Sequence, residues 1–227
     1  MKLRILLTFA LLAGIGIFPV ASFSAPNTPE ATPATTPPPK RFNFADVRRR
    51  AEVLASQPFQ APARSLPDFL KGLDYDQYRD IRFRADKGLW RAEGLPFEVQ
   101  FAPLGFLFVQ PVTINVVGEG ESKPVEYADD LFDYGKNKVP NNLPMDLGFA
   151  GYKVLYPLHT DSHYDEVAVF LGASYFRAVG QKQNYGLSAR CLAIDTGLSK
   201  SEEFPRFREF WLEKPSKDAT ELTVYAL

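Results

Sequence analysis

Between Asp146 and Thr196, the segments DLGFAGYKVLYPL, LGASYFRAVG and YGLSARCLAIDT set aromatic and arginine residues among small ones at spacings that suit β-strands. Such a surface can hold a flat, polar ligand, because aromatic faces stack on sugar rings while arginine and tyrosine hydrogen-bond to hydroxyls. Side chains alternate between the two faces of a strand, so Tyr175 and Arg177 share one face while Ser174, Phe176 and Ala178 share the other. By the same parity Ser188 and Arg190 lie opposite Ala189, Cys191 and Ala193. Arg190 interrupts an otherwise apolar strand and must find acceptors, since an unpaired buried guanidinium is costly. Two sources would serve: glycan hydroxyls, or a salt bridge to Asp195 or a glutamate. Tyr185, where a loop enters a strand at Gly186, either caps a groove or packs in the core. Trp211, in FREFWLEK, either stacks on a sugar or is a core tryptophan. Tyr175, Arg177, Tyr185, Arg190 and Trp211 form the candidate substrate-binding set.

Acid, base and metal chemistry find less support. The nearby carboxylates are Asp146, Asp161, Asp165, Glu166, Asp195, Glu202 and Glu203, but loop carboxylates more often cap or face solvent than catalyse, and none is assigned a catalytic role. His159 and His163 flank Asp161 in HTDSH, a polar loop after Pro157 and not a helix that would align two imidazoles, so no metal site is expected. Cys191 is the only cysteine, which excludes an intrachain disulfide, and a small buried hydrophobe is its expected role. The motifs G-x-S-x-G, G-x-x-x-x-G-K-[ST] and H-E-x-x-H are absent, leaving serine-hydrolase, nucleotide-binding and zincin chemistry unsupported and no cofactor implied.

The elements that must position these residues read mainly as strands. A period of two from Ile81 onward predicts strands over 81–84, 97–102, 107–117, 124–127, 152–158, 166–179, 187–195, 206–213 and 221–227. They follow one another too closely for βαβ crossovers, which favours an antiparallel β-sandwich. A short helical preface precedes them. Asn43 can cap a helix with Asp46 three residues on, and Phe44, Val47, Ala51 and Leu54 then share a face, predicting a helix over 44–56. Its Arg48, Arg49 and Arg50 read as a solvated face. Further helical turns are expected near 67–71 and 75–79. The terminal run ELTVYAL stops in mid-strand, so the sandwich is expected to be an incomplete domain.

Ahead of the helix, Lys2 and Arg4 precede an apolar run from Ile5 to Val20 and then Ser22-Phe23-Ser24, the order of a secretory signal peptide over residues 1–24. The run falls short of the ~20 residues that span a bilayer, so no membrane segment is expected after cleavage. Residues 25–41, rich in Pro, Thr and Ala, read as a disordered linker, and the folded part is expected to begin at Phe42. With 45% hydrophobic residues among 227, the chain can bury one sizeable core. Its 26 basic and 27 acidic residues leave a net charge of -1 and no nucleic-acid footprint.

GFAGYKVLYPL, LGASYFR, YGLSAR, LAIDT and EEFPRF-x-EFW, in that order, together with FNFADV and LPDFLKGLDYDQYRDIRF, resemble the periplasmic glucan biosynthesis protein G family and its paralogue D. The resemblance runs from Phe42 to Leu227. It implies a periplasmic protein of osmoregulated glucan synthesis, with β-1,2-linked glucan as ligand and envelope glucan-synthesis proteins as partners. It also implies inverting hydrolysis of that glucan, and a large β-sandwich similar to galactose mutarotase followed by an immunoglobulin-like domain. This chain would cover roughly the first half of the sandwich, with the catalytic acid and base lying beyond Leu227, as two carboxyl groups about 6.5–9.5 Å apart. The family pattern has Gly where Cys191 stands, which bears on how closely backbone approaches there.

Overall fold

The computed structural model describes residues 41–61, 66–144 and 146–227. The predicted signal peptide, and the predicted linker as far as Lys40, fall outside the described residues. Helix α1 (Phe44–Ala55) starts as its capping signal predicts: the Asn43 side chain accepts from the Ala45 N–H at 2.8 Å and the Asp46 carboxylate accepts from the Asn43 N–H at 3.1 Å. The short helices α2 (Asp68–Lys71) and α3 (Tyr75–Asp80) follow, the latter with its own capping box between Asp74 and Gln77. Among the described residues no helix is long and apolar enough to cross a membrane.

Among the described residues eleven strands come next: β1 (Arg82–Phe83), β2 (Glu98–Ala102), β3 (Thr113–Gly118), β4 (Glu121–Pro124), β5 (Phe132–Asp133), β6 (Gly151–Thr160), β7 (His163–Leu171), β8 (Tyr175–Ala178), β9 (Ala189–Arg190), β10 (Glu209–Glu213) and β11 (Val224–Ala226). They form a five-stranded sheet in the order β2-β6-β7-β8-β9, a four-stranded sheet in the order β11-β10-β3-β4, and the small pair β1-β5. The mainly antiparallel β architecture expected from the spacing is therefore present, with one parallel pair, β3 with β10. Period-two patterning reports which residues alternate and carries no strand direction, so that pairing was illegible.

The two larger sheets meet through aromatic rings. Phe210 of β10 packs edge-on against Tyr152 of β6 at 5.0 Å and against Phe170 of β7 at 5.5 Å. Tyr152, Phe170 and Phe176 stack across successive strands at 5.1 and 5.8 Å. Each such contact adds about 0.5–1.5 kcal/mol to the burial of the rings. On the far face of the four-stranded sheet, Trp211 and Val117 bury Val47 of α1, with Phe42 stacked on the indole at 5.4 Å.

That docking changes the reading of the arginine face. Arg48 and Arg49 pair with Glu52 and Asp46 on the helix surface, as a solvated face would. Arg50 instead donates to Glu209 of β10 at 2.8 Å and lies over the Trp211 ring at 5.0 Å. The other Glu209 oxygen accepts from buried Asn115 of β3 at 2.9 Å, so one carboxylate ties the helix to both strands.

Several expected strands differ from the observed ones. The run 166–179 is two strands, β7 and β8, folded back at Gly172 and Ala173, whose φ values are +71° and +35°. The alternation carries on through the turn, and Ala173 takes a left-handed conformation that sequence does not advertise. The run 187–195 shrinks to Ala189–Arg190, because β9 is an edge strand with a neighbour on one side only. Cys191 is exposed and not the buried hydrophobe expected, since it lies just past that short strand.

Candidate functional site

Strand register sorts the five-stranded sheet into an inner and an outer face. Phe101, Tyr152, Phe170, Phe176 and Ala189 stand in one cross-strand row, and the Tyr152 to Phe176 part of it is the stack that meets Phe210. The adjacent row, Gln100, Lys153, Val169 and Arg177, belongs to the opposite face. Tyr175 shares that face with Arg177, as parity predicts, and pairs directly with Arg190 of β9. Burial falls from β2, where residues 98–101 are buried, to β8, where Arg177 is exposed.

Four of the candidate residues come together at this open end. The Arg177 guanidinium lies 5.6 Å from the Tyr185 ring, and the Arg190 guanidinium lies 5.6 Å from the Tyr175 ring. A second ring, Phe204, faces Arg190 at 5.6 Å. Guanidinium over ring is attractive and also presses two flat groups into one surface. The Tyr185 hydroxyl donates to the Glu166 carbonyl at 2.5 Å, and partial burial, with Glu166 beside it, pushes its pKa up to about 12. It therefore remains a neutral donor at neutral pH, anchored while its ring is exposed.

Arg190 takes the salt bridge in preference to leaving its charge unpaired. Its acceptor is Glu202, whose Oε1 also accepts from Thr196 Oγ1 at 3.3 Å, whereas Asp195 is held by Lys200 at 2.6 Å. Glu202→Gln should loosen the segment after β9. The expected result is faster amide exchange at Cys191, whose N–H donates to the Ser174 carbonyl at 3.0 Å, and at Glu203, bonded to Ile194 at 3.3 Å. Unaltered exchange at both would show that the ion pair does not hold this segment.

Trp211 does not join the group. It has 0% exposure and lies on the far face of the other sheet, so it offers no ring to a ligand and is corrected to a core residue. Phe204, 52% exposed beside Arg190, joins in its place, and nothing in its local sequence distinguishes it from a core phenylalanine.

The carboxylates around this surface are largely engaged. Glu166 lies 3.5 Å from Lys153. Asp165 lies 3.0 Å from His159 and 3.8 Å from His163, and the hydrogen bond from His159 holds its carboxyl below the usual range. The two histidines thus flank Asp165 across the β6-β7 hairpin. Among the described residues no group of three or more His, Cys, Asp or Glu is placed to hold a metal ion. The surface can stack rings and donate hydrogen bonds.

The profile of the family described as "Periplasmic glucan biosynthesis protein, MdoG" matches residues 42–227. The chain belongs to this family. Among curated relatives, the glucans biosynthesis protein G of Ralstonia nicotianae is 52% identical over 186 residues, covering 82% of this chain and 37% of that protein. That of Bradyrhizobium diazoefficiens is 50% identical over 210 residues, covering 92% of this chain and 41% of the relative. The Dickeya dadantii protein is 46% identical over 186 residues, covering 82% and 36%. The chain thus spans about two fifths of the length of the MdoG-family relatives it matches. Membership ties it to glucan biosynthesis, and the family's description is of periplasmic proteins.

Proposed function

We propose that this chain works in the periplasm, in the synthesis of osmoregulated glucans, by holding the β-1,2-linked glucose backbone along the β8 and β9 edge. The observation that carries this reading is the exposed strip in which Tyr175, Arg177 and Tyr185 present rings and guanidinium donors on one face. Arg190, with Glu202 as its partner, builds the wall that orients Tyr175. Sugar rings suit such a strip because their C–H faces stack on aromatics while their hydroxyls accept from arginine.

In the whole protein, inverting hydrolysis of that backbone requires two carboxyl groups about 6.5–9.5 Å apart, on either side of the bound bond. Asp165, Glu166, Asp195 and Glu202 are engaged with cationic or imidazole partners, and the contribution proposed for this chain itself is binding. The same observation favours, as a second reading, a noncatalytic protein that holds nascent glucan for partners in the envelope.

Tyr175→Ala and Arg177→Ala are each expected to weaken binding of linear β-1,2-glucan about tenfold, the equivalent of about 1.4 kcal/mol, without unfolding the chain. Titration calorimetry on folded variants checks this, and unchanged affinity in both removes the strip from the site. An assay of the complete protein on the same glucan, with product anomers followed by NMR, separates the two readings: inverted anomers support hydrolysis, and no turnover despite binding supports the scaffold.

A further inference from the structure

A second concavity lies away from the strip, between α3 and the turn that follows β5. It offers about 700 Å³ of space, and Arg79, Arg82, Lys136 and Lys138 line it against only Asp76 and Asp80. Four cations against two carboxylates make this groove positive on a chain whose net charge is -1. Neither carboxylate neutralises the rest. Asp80 Oδ2 accepts the Lys136 backbone N–H at 2.7 Å, and its other oxygen stands 3.9 Å from Arg82. Among the described residues Asp76 forms no ion pair with Arg79, three residues along the same helix. Arg79, Lys136 and Lys138 have no side-chain ion pair or hydrogen bond among the described residues. A cation in the last turn of α3 can serve the helix carbonyls, which accounts for Arg79 but for neither lysine.

The wall that carries the lysines is held in place. Asn137 Nδ2 donates to the carbonyls of Gln77 and Tyr134, both at 2.8 Å, and zips the turn to α3. Gly135 has φ +58° and lies so close to Asp80 that any Cβ would strike the carboxylate. Lys136 and Lys138 therefore line the groove with Arg79 from a turn tied to α3 by the Lys136 N–H and the Asn137 side chain. Phe69 supplies an aromatic face in the same groove, and Gln77 and Asn137 add polar groups.

We propose that this groove binds an anionic sugar, with the oxyanion met by Arg79, Lys136 and Lys138 and the ring laid against Phe69. Positive groups converging in a concave, partly walled space concentrate anions, and the aromatic face selects a ring over a bare ion. The groove is large enough for a saccharide, since ligand sites commonly enclose about 300–1,000 Å³. This site is separate from the strip and does not depend on it.

The test is titration of the full chain with glucose 6-phosphate, glucuronate and glucose, at low and high salt. The expected result is millimolar or tighter binding of at least one of the two anions, weakened by salt, with glucose at least tenfold weaker. Binding of glucose 6-phosphate alone assigns a phosphate, and binding of glucuronate alone assigns a carboxylate. Arg79→Glu and Lys138→Glu alter exposed side chains and should leave the fold intact, while reducing anion affinity at least tenfold. Tyr175→Ala should leave it unchanged, so failure here is distinguishable from failure of the glucan strip. Glucose binding as tightly as the anions, no anion binding at 10 mM (about ten times the ~1 mM weak-binding limit), or charge reversals without effect would each overturn the assignment.

Discussion

Trp211→Ala should lower the stability of the chain by about 3–5 kcal/mol, the usual cost of deleting a large buried aromatic. The indole has 0% exposure, stacks on Phe42 at 5.4 Å and lies under the Arg50 guanidinium at 5.0 Å. Removing it opens a cavity between β10 and α1, and the helix loses the surface on which Val47 is buried. Since 1 kcal/mol moves the melting temperature of a chain of this size by about 2–4 °C, a loss of roughly 6–20 °C is expected in thermal denaturation followed by circular dichroism. Trp211→Phe should cost much less, because it keeps a ring and removes an Nε1 that has no acceptor among the described residues. A melting point for Trp211→Ala within about 2 °C of the parent would contradict the core assignment and return the indole to the list of sugar platforms.

Gly151→Ala is the second large effect, and its sign is the informative part. In a strand, exchanging Gly for Ala ordinarily stabilises by about 0.5–1 kcal/mol, because glycine loses more chain entropy on folding. Here the added Cβ would run into the carbonyl oxygen of Phe170 and come within 3.2 Å of Leu171 Cα. Both are backbone atoms of the neighbouring strand β7, so no side-chain rotation relieves the clash. The β6-β7 ladder must part locally, at a cost of about 3 kcal/mol, the upper end for overpacking. Urea unfolding measures it as a lower midpoint. Because β7 carries β8, the glucan binding proposed for that edge should weaken with it. A variant as stable as the parent would show that the two strands do not approach this closely.

Both residues show how far local pattern reaches. The predicted strand over 152–158 left Gly151 just outside it, and only the partner strand shows that Gly151 belongs to β6 and why a side chain is refused there. Trp211 sat in a predicted strand with core and sugar readings both open, and sequence could not choose because either face of a strand can be the buried one. The choice depended on α1, which covers the face that Trp211 occupies. Arg50 followed the same logic: three consecutive arginines look alike in sequence, and the helix rotation brings one of them to Glu209.

The candidate site was legible in part. Parity placed Tyr175 and Arg177 on one face and Phe176 on the other, and the register bears this out, because alternation is a property of the strand backbone itself. For Arg190 the sequence left two acceptors open, glycan hydroxyls or a carboxylate, because a guanidinium among apolar residues must be paired but does not name its partner. That it is Glu202 and not Asp195 was decided by the loop that folds back after β9. Phe204 and the cationic groove behind α3 went unseen, since both join residues far apart in the chain through packing alone.

By itself, then, the sequence determined the β-rich class, the capped helix at Asn43, the alternation of faces and the family, all of which rest on local backbone preference or on ordered motifs. Only the tertiary structure decided the parallel β3-β10 pairing, the burial of Trp211, the convergence of Arg177 with Tyr185 and of Arg190 with Tyr175, and the groove. Each of these depends on which distant surfaces are brought together to bury apolar area and satisfy charge, and neither quantity is written in any single window of the chain.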